Sequence, residues 1–163
     1  MAGIHYTAVH VRELLGLSRT DLQRWLSALP PFNQVKAKPR TARQFTIADL
    51  AFFRAVAELH QRLGLSLHSI AAFSAPLRAR LDMRAALTGG TVRLYINQVG
   101  DDAWAVGSEA QGALSVALDL EPIWLAVYAF VGVAMPAQRE LALGLVSLSG
   151  SSHQEGRRGR QAR

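Results

Sequence analysis

Apolar positions recur at helical spacing up to Gly89-Gly90 and at every second position for a stretch beyond it, so the chain changes character there. Val9, Val11, Leu14 and Leu15 predict a first helix over 7–15, with Thr7 able to cap it and Gly16 able to end it. Leu22, Trp25 and Leu26 fall on one side of a second helix. Ser18 is a good N-cap for it, and Asp21, three residues on, suits a capping box and the positive end of the helix. Only Gly16-Leu17-Ser18 separates the two, which is the helix-turn-helix pattern. Pro30-Pro31 stops the second helix, because proline has no amide hydrogen and disfavours helix before it.

The segment 32–45 is polar, with an apolar residue at each end, and predicts a two-stranded wing with Phe32, Val35 and Phe45 turned inward. Thr46, followed by Asp49, then caps a longer helix whose buried stripe is Leu50, Phe52, Phe53, Val56, Leu59 and Leu63, with Gly64 ending it. Ser66 caps the next, with Leu67, Ile70, Ala71 and Phe73 apolar. Pro76 is placed to open a further helix over about 76–87, with Leu77, Leu81 and Leu87 inward.

Beyond Gly90, Val92, Leu94 and Ile96 alternate with Arg93, Tyr95 and Asn97. Gly100-Asp101-Asp102 reads as a turn, Trp104 and Val106 as a return strand, and Leu114, Val116, Leu118 and Leu120 as a third strand, giving an antiparallel meander. Glu121-Pro122 is placed to start a helix through about Val131. It is apolar almost all round, which implies burial within the domain or between two copies, and strand is a competing reading there. Pro136 opens a last helix to about Leu148, and 150–163 has the composition of a disordered tail.

Charge sharpens this division. Residues 1–88 hold 12 Lys and Arg against 5 Asp and Glu, a net +7, whereas residues 89–149 carry a net −4 and the tail a net +3. A basic first half and an acidic second segment imply polyanion binding by the first half alone. The second helix offers the chemistry. Opposite its apolar side stand Arg19, Thr20, Gln23 and Arg24, and two guanidiniums, a hydroxyl and an amide suit phosphates and base edges in a major groove. Lys36, Lys38, Arg40 and Arg43 follow with no acidic residue among them, as in a phosphate clamp. The arginines of the tail read first as solubilising, with non-specific attraction to DNA as the alternative.

Several function classes lose support. Absence of cysteine removes disulfides, thiol catalysis and cysteine-based sensing, and fits a reducing, cytoplasmic setting. There is no Gly-rich phosphate loop, nucleophile elbow or two-histidine zinc helix, so neither an enzyme nor a cofactor is expected. His60 and His68 have no partner at ligand spacing and read as core or surface residues. No apolar run is long enough to cross a bilayer, and none at the start resembles a signal peptide.

The order of these motifs resembles the MerR-type winged helix-turn-helix family. The resemblance rests on Gly16-Leu17-Ser18, Leu22-Gln23-Arg24-Trp25, Arg43-Gln44-Phe45, Asp49-Leu50 and Leu63-Gly64-Leu65-Ser66-Leu67-His68-Ser69-Ile70, and covers about residues 6–80. Arg24 departs from it, standing where the family usually has an aromatic, as does Ala28-Leu29-Pro30-Pro31 before the wing. Thr20, Gln23, Arg24 and Arg43 correspond to family contact positions, whereas Arg19, Lys36, Lys38 and Arg40 follow from charge and placement.

The implied fold is α+β: a winged domain over 1–75, a connecting helix over 76–90, a small α+β dimerisation or effector domain over 91–149, and the tail. The implied function is a sequence-specific transcriptional regulator, binding double-stranded DNA as a homodimer on an inverted repeat, with RNA polymerase a candidate further partner. Two alternatives share these motifs: an excisionase-like or partition-type architectural DNA-binding factor, and a protein-interaction adaptor with a degenerate winged helix.

Overall fold

The computed structural model describes residues 4–34, 42–81, 93–100 and 103–132. It is a mixed helical and stranded fold: α1 (Ala8–Leu15), α2 (Arg19–Ala28), a single 3-10 turn (Phe32–Gln34), α3 (Ile47–Ala57) running on into a π-helical turn (Glu58–Arg62), α4 (Leu67–Arg80), β1 (Arg93–Gln98), β2 (Trp104–Gly107), β3 (Ser115–Asp119) and α5 (Leu120–Val131). One hydrophobic core runs from Val11 to Tyr128 and draws on both halves of the sequence. Phe73 of α4 meets Trp104 of β2 with ring centres 5.7 Å apart, and α5 packs on α3.

Capping follows the expected chemistry. Gly16 closes α1 at φ 65°, a left-handed conformation that glycine adopts without a Cβ clash. The Ser18 hydroxyl accepts from the Asp21 amide at 3.1 Å, and Thr46 accepts from the Asp49 amide at 3.2 Å while Asp49 Oδ2 accepts from the Thr46 amide at 2.7 Å. The α3 cap is also joined to α4, since Arg78 pairs through Nε with Asp49 Oδ1 and donates from Nη2 to Thr46 Oγ1 at 3.2 Å.

Several expectations are corrected. The closing arm of the expected wing does not pair with its opening arm among the described residues. Phe32 lies in the 3-10 turn, and Phe45 bridges Tyr6 instead, with both backbone hydrogen bonds at 2.8 Å. Both phenylalanines are nonetheless buried as expected, because they join a cluster with Phe52 and Phe53; Val35 lies outside the described residues.

Leu63 is exposed, not inward. The wider π-helical turn, marked by the Leu63 amide bonding Glu58 O, carries it past the buried stripe. Pro76 opens no new helix but sits inside α4. The stripe Leu67, Ile70, Phe73, Ser74, Leu77 continues through it, and the missing amide falls on an exposed side beside Ala72, where the freed carbonyl can be solvated. Leu87, Val92, Asp101-Asp102, the helix expected over 136–148 and the tail lie outside the described residues.

The sheet is not a meander. Its order is β2-β1-β3, all antiparallel, so β1 is central and the chain passes from one edge to the other. Asn97 explains the crossing. Expected on the polar side, it is buried, and its amide donates to Glu109 O at 3.0 Å while its carbonyl accepts from the Gln111 amide at 2.9 Å and the Ser115 hydroxyl at 2.6 Å. One side chain thus fastens the connecting loop across the end of β1. Gly112 permits the close passage, having φ 79° and a position where a Cβ would stand 2.8 Å from Gln98 O. The loop also carries Leu114 out to solvent, while Leu120 begins α5 instead of extending β3.

The strand reading of 123–131 is settled as helix. Asp119 caps α5 and accepts from the Glu121 amide at 3.1 Å, and Pro122 sits in the permitted first turn. Ile123, Trp124, Val127 and Tyr128 face the core, and Leu125 faces out.

Two outcomes follow. Asn97→Ala takes their partner from the Gln111 amide, the Glu109 carbonyl and the Ser115 hydroxyl, all in half-buried contacts, and lowers unfolding free energy by about 1–3 kcal/mol, read by urea denaturation. Tyr128 is buried, its hydroxyl has no hydrogen-bond partner among the described residues, and burial raises its pKa above the ordinary value of 10.0. The unfolded chain therefore loses this proton first, and stability falls as pH rises past about 10. Tyr128→Phe keeps stability within about 1 kcal/mol at neutral pH and removes this share of the alkaline loss, measured by denaturation across that pH range.

Candidate nucleic-acid interface

The candidate surface is α2, and its underside explains its orientation. Leu22, Trp25 and Leu26 are buried, and Leu29 follows them into the core. The His60 and Trp25 rings meet nearly perpendicular, with ring centres 5.9 Å apart at 84°. His60 is held in turn by a 2.7 Å contact from Nδ1 to the Leu65 carbonyl, so this nitrogen carries the hydrogen. The π-helical turn that displaces Leu63 thus also supplies the ring that braces Trp25. Near the other end, Ser74 Oγ of α4 donates to Pro30 O at 2.8 Å and fixes the chain where it leaves α2.

With that side buried, Arg19, Thr20, Gln23 and Arg24 are exposed together around one open hollow. Ser27 joins them, a residue the sequence reading missed although its spacing from Gln23 and Thr20 marks the same face. Its hydroxyl turns back to donate to Gln23 O at 2.9 Å. Asp21 is the acidic residue of this helix, and its carboxylate accepts from the Ser18 hydroxyl at 2.6 Å.

The cations of α2 differ from Arg54, Arg62 and Arg78, and share with Arg12, Arg80 and Arg93 the lack of an ion pair among the described residues. Arg54 and Arg62 both pair with Glu58, at 2.6 and 3.0 Å, and Arg78 pairs with Asp49. Among the described residues, Arg19 and Arg24 pair with no carboxylate. Arg43 is partly buried two residues before Phe45 and does not line the hollow; Lys36, Lys38 and Arg40 lie outside the described residues. Among the described residues no three His, Cys, Asp or Glu side chains group to hold a metal, and no helix is long and apolar enough to cross a membrane.

Comparison with protein-family models, curated proteins and solved structures gives no match.

The two sides of α2 have separable roles in stability. Trp25→Ala costs about 3–5 kcal/mol of unfolding free energy, whereas Arg19→Ala and Arg24→Ala each stay within about 0.5 kcal/mol of wild type, compared by urea denaturation.

Proposed function

We propose that the protein binds double-stranded DNA by laying the exposed side of α2 into the major groove, and that it does so as a homodimeric transcriptional regulator on an inverted repeat. The observation that carries this reading is the pair of exposed guanidiniums, Arg19 and Arg24, free of carboxylate partners among the described residues and grouped with neutral hydrogen-bonding side chains on a helix whose other side is locked in the core. Exposed cations without local partners remain available to phosphates, and a helix of this length fits a major groove.

Two further features support it. The net charge of +7 over residues 1–88 is concentrated in the half of the sequence that contains α2. The three-residue turn between α1 and α2 lets the first helix buttress the second, as in the helix-turn-helix arrangement. Two copies related by a twofold axis would present two such helices to half-sites one helical turn apart. Lys36, Lys38, Arg40 and Arg43 would extend the grip to flanking phosphates. Cytoplasmic location and contact with RNA polymerase belong to the same reading, which assigns the protein no catalytic role.

A band-shift titration of duplex DNA across salt concentrations tests it. Affinity falls linearly with salt on a double-logarithmic plot, and replacing both Arg19 and Arg24 by alanine lowers the slope by about 2. Failure to bind duplex at low salt, or binding that ignores salt, overturns the reading.

A further inference from the structure

The sheet order β2-β1-β3 leaves β3 with an outer edge, since among the described residues it pairs with β1 alone. The Gln98 amide donates to the Leu114 carbonyl at 2.9 Å, which makes these two a hydrogen-bonded pair of the ladder. By alternation Leu114, Val116 and Leu118 turn their backbone groups toward β1, and Ser115, Ala117 and Asp119 turn theirs away from it. Edge strands are commonly guarded by lysine, proline or a bulge. β3 has no lysine or proline, its register with β1 runs unbroken from Ser115 to Asp119, and Ala117 at its middle is exposed with only a methyl side chain.

We propose that β3 pairs antiparallel with β3 of a second copy, across a twofold axis at Ala117, so that one sheet runs through both copies. Ser115-Val116-Ala117-Leu118-Asp119 has the same pattern in either direction: polar, apolar, small, apolar, polar. A contact between identical patches requires that symmetry, and it favours a second copy over an unrelated strand. In this register the Ala117 amide and carbonyl exchange bonds with those of the second copy, and the Asp119 amide donates to the Ser115 carbonyl of the second copy. The Asp119 carbonyl is already committed to the first turn of α5. Val116 stands opposite Leu118 on the core side of the sheet, and the exposed Leu114 comes opposite Leu120 at the start of the other α5. Charge selects the register: each Asp119 stands opposite a serine, whereas a register centred on Asp119 sets two carboxylates face to face. This surface serves the homodimer proposed above and so deepens that reading, without involving any residue of α2.

The full chain has no cysteine, so Ala117→Cys introduces a single thiol, and Cα atoms of such a bonded pair, about 5.5 Å apart, lie within disulfide reach. Mild oxidation joins Ala117→Cys into a covalent dimer, while Ser108→Cys, exposed in the loop after β2, stays uncrosslinked. Sedimentation equilibrium over a concentration series shows wild type dimerising. Ala117→Asp, which sets two carboxylates opposite each other at the axis, raises the dimer dissociation constant by about tenfold or more with an unchanged circular dichroism spectrum. A wild-type monomer throughout the series, as when another segment of the same chain occupies the edge, overturns the interface together with the homodimer. A dimer that Ala117→Cys does not cross-link, or that Ala117→Asp leaves intact, overturns the interface and leaves the homodimer standing. Absence of duplex binding with the cross-link formed removes the DNA-binding reading and leaves the interface.

Discussion

The packing of Trp25 and its neighbours beneath α2 is the constraint on which the candidate surface depends. A short helix has little stability of its own, and Arg19–Ala28 is held by burying Leu22, Trp25 and Leu26. Each such side chain contributes roughly 1.5–3 kcal/mol on burial, far more than an exposed polar contact. The helix cannot roll about its axis without exposing that surface. The direction in which Arg19, Gln23 and Arg24 point is therefore a consequence of core packing, and these residues need contribute nothing to stability themselves.

Polar joints at a distance set what that packing works against. Arg78 reaches from α4 to the carboxylate that caps α3, so the start of one helix and the end of the next are placed together. The contact serves three groups at once, and its charges are largely screened from water, which makes it stronger than an exposed ion pair. Asn97 plays the equivalent part in the sheet, where one amide fastens the loop between two edge strands. The π-helical turn after α3 is the third joint, and it aims His60 at Trp25. The strand-rich half is coupled to the helical half through Phe73 and Trp104 and through α5 on α3, so the two halves share one apolar interior.

What was legible in the sequence was local. Ser18, Thr46 and Ser66 marked three helix starts, because a cap needs only its own hydroxyl and an amide three residues away, and Thr7 marked a fourth, where the His10 ring Nδ1 accepts from its amide. The exposed group on α2 was legible for the same reason, since it depends on helical period alone. Decisions between distant residues were not. Nothing near Phe45 says that it pairs with Tyr6, and nothing near Asn97 says that it will be buried to hold a loop twelve and more residues on. Leu63 failed for a subtler reason: one additional residue in a turn rotates everything after it, and periodicity cannot register that step. Pro76 was read by its intrinsic preference, which the apolar stripe of α4 outweighed.

Reading α2 as a surface for duplex DNA asks it to supply two things, attraction and choice. Attraction to a polyanion needs only positive charge near the surface, and it fades with salt whatever the sequence. Choice among sequences needs groups whose hydrogen bonds are directional and are wasted on the wrong partner. Arg19, Thr20, Gln23, Arg24 and Ser27 share one exposed side, and the helix is held from below by Trp25. A helix free to roll would present a changing set of groups. Rigid seating of the apolar side is thus the physical condition for any sequence preference that the polar side displays.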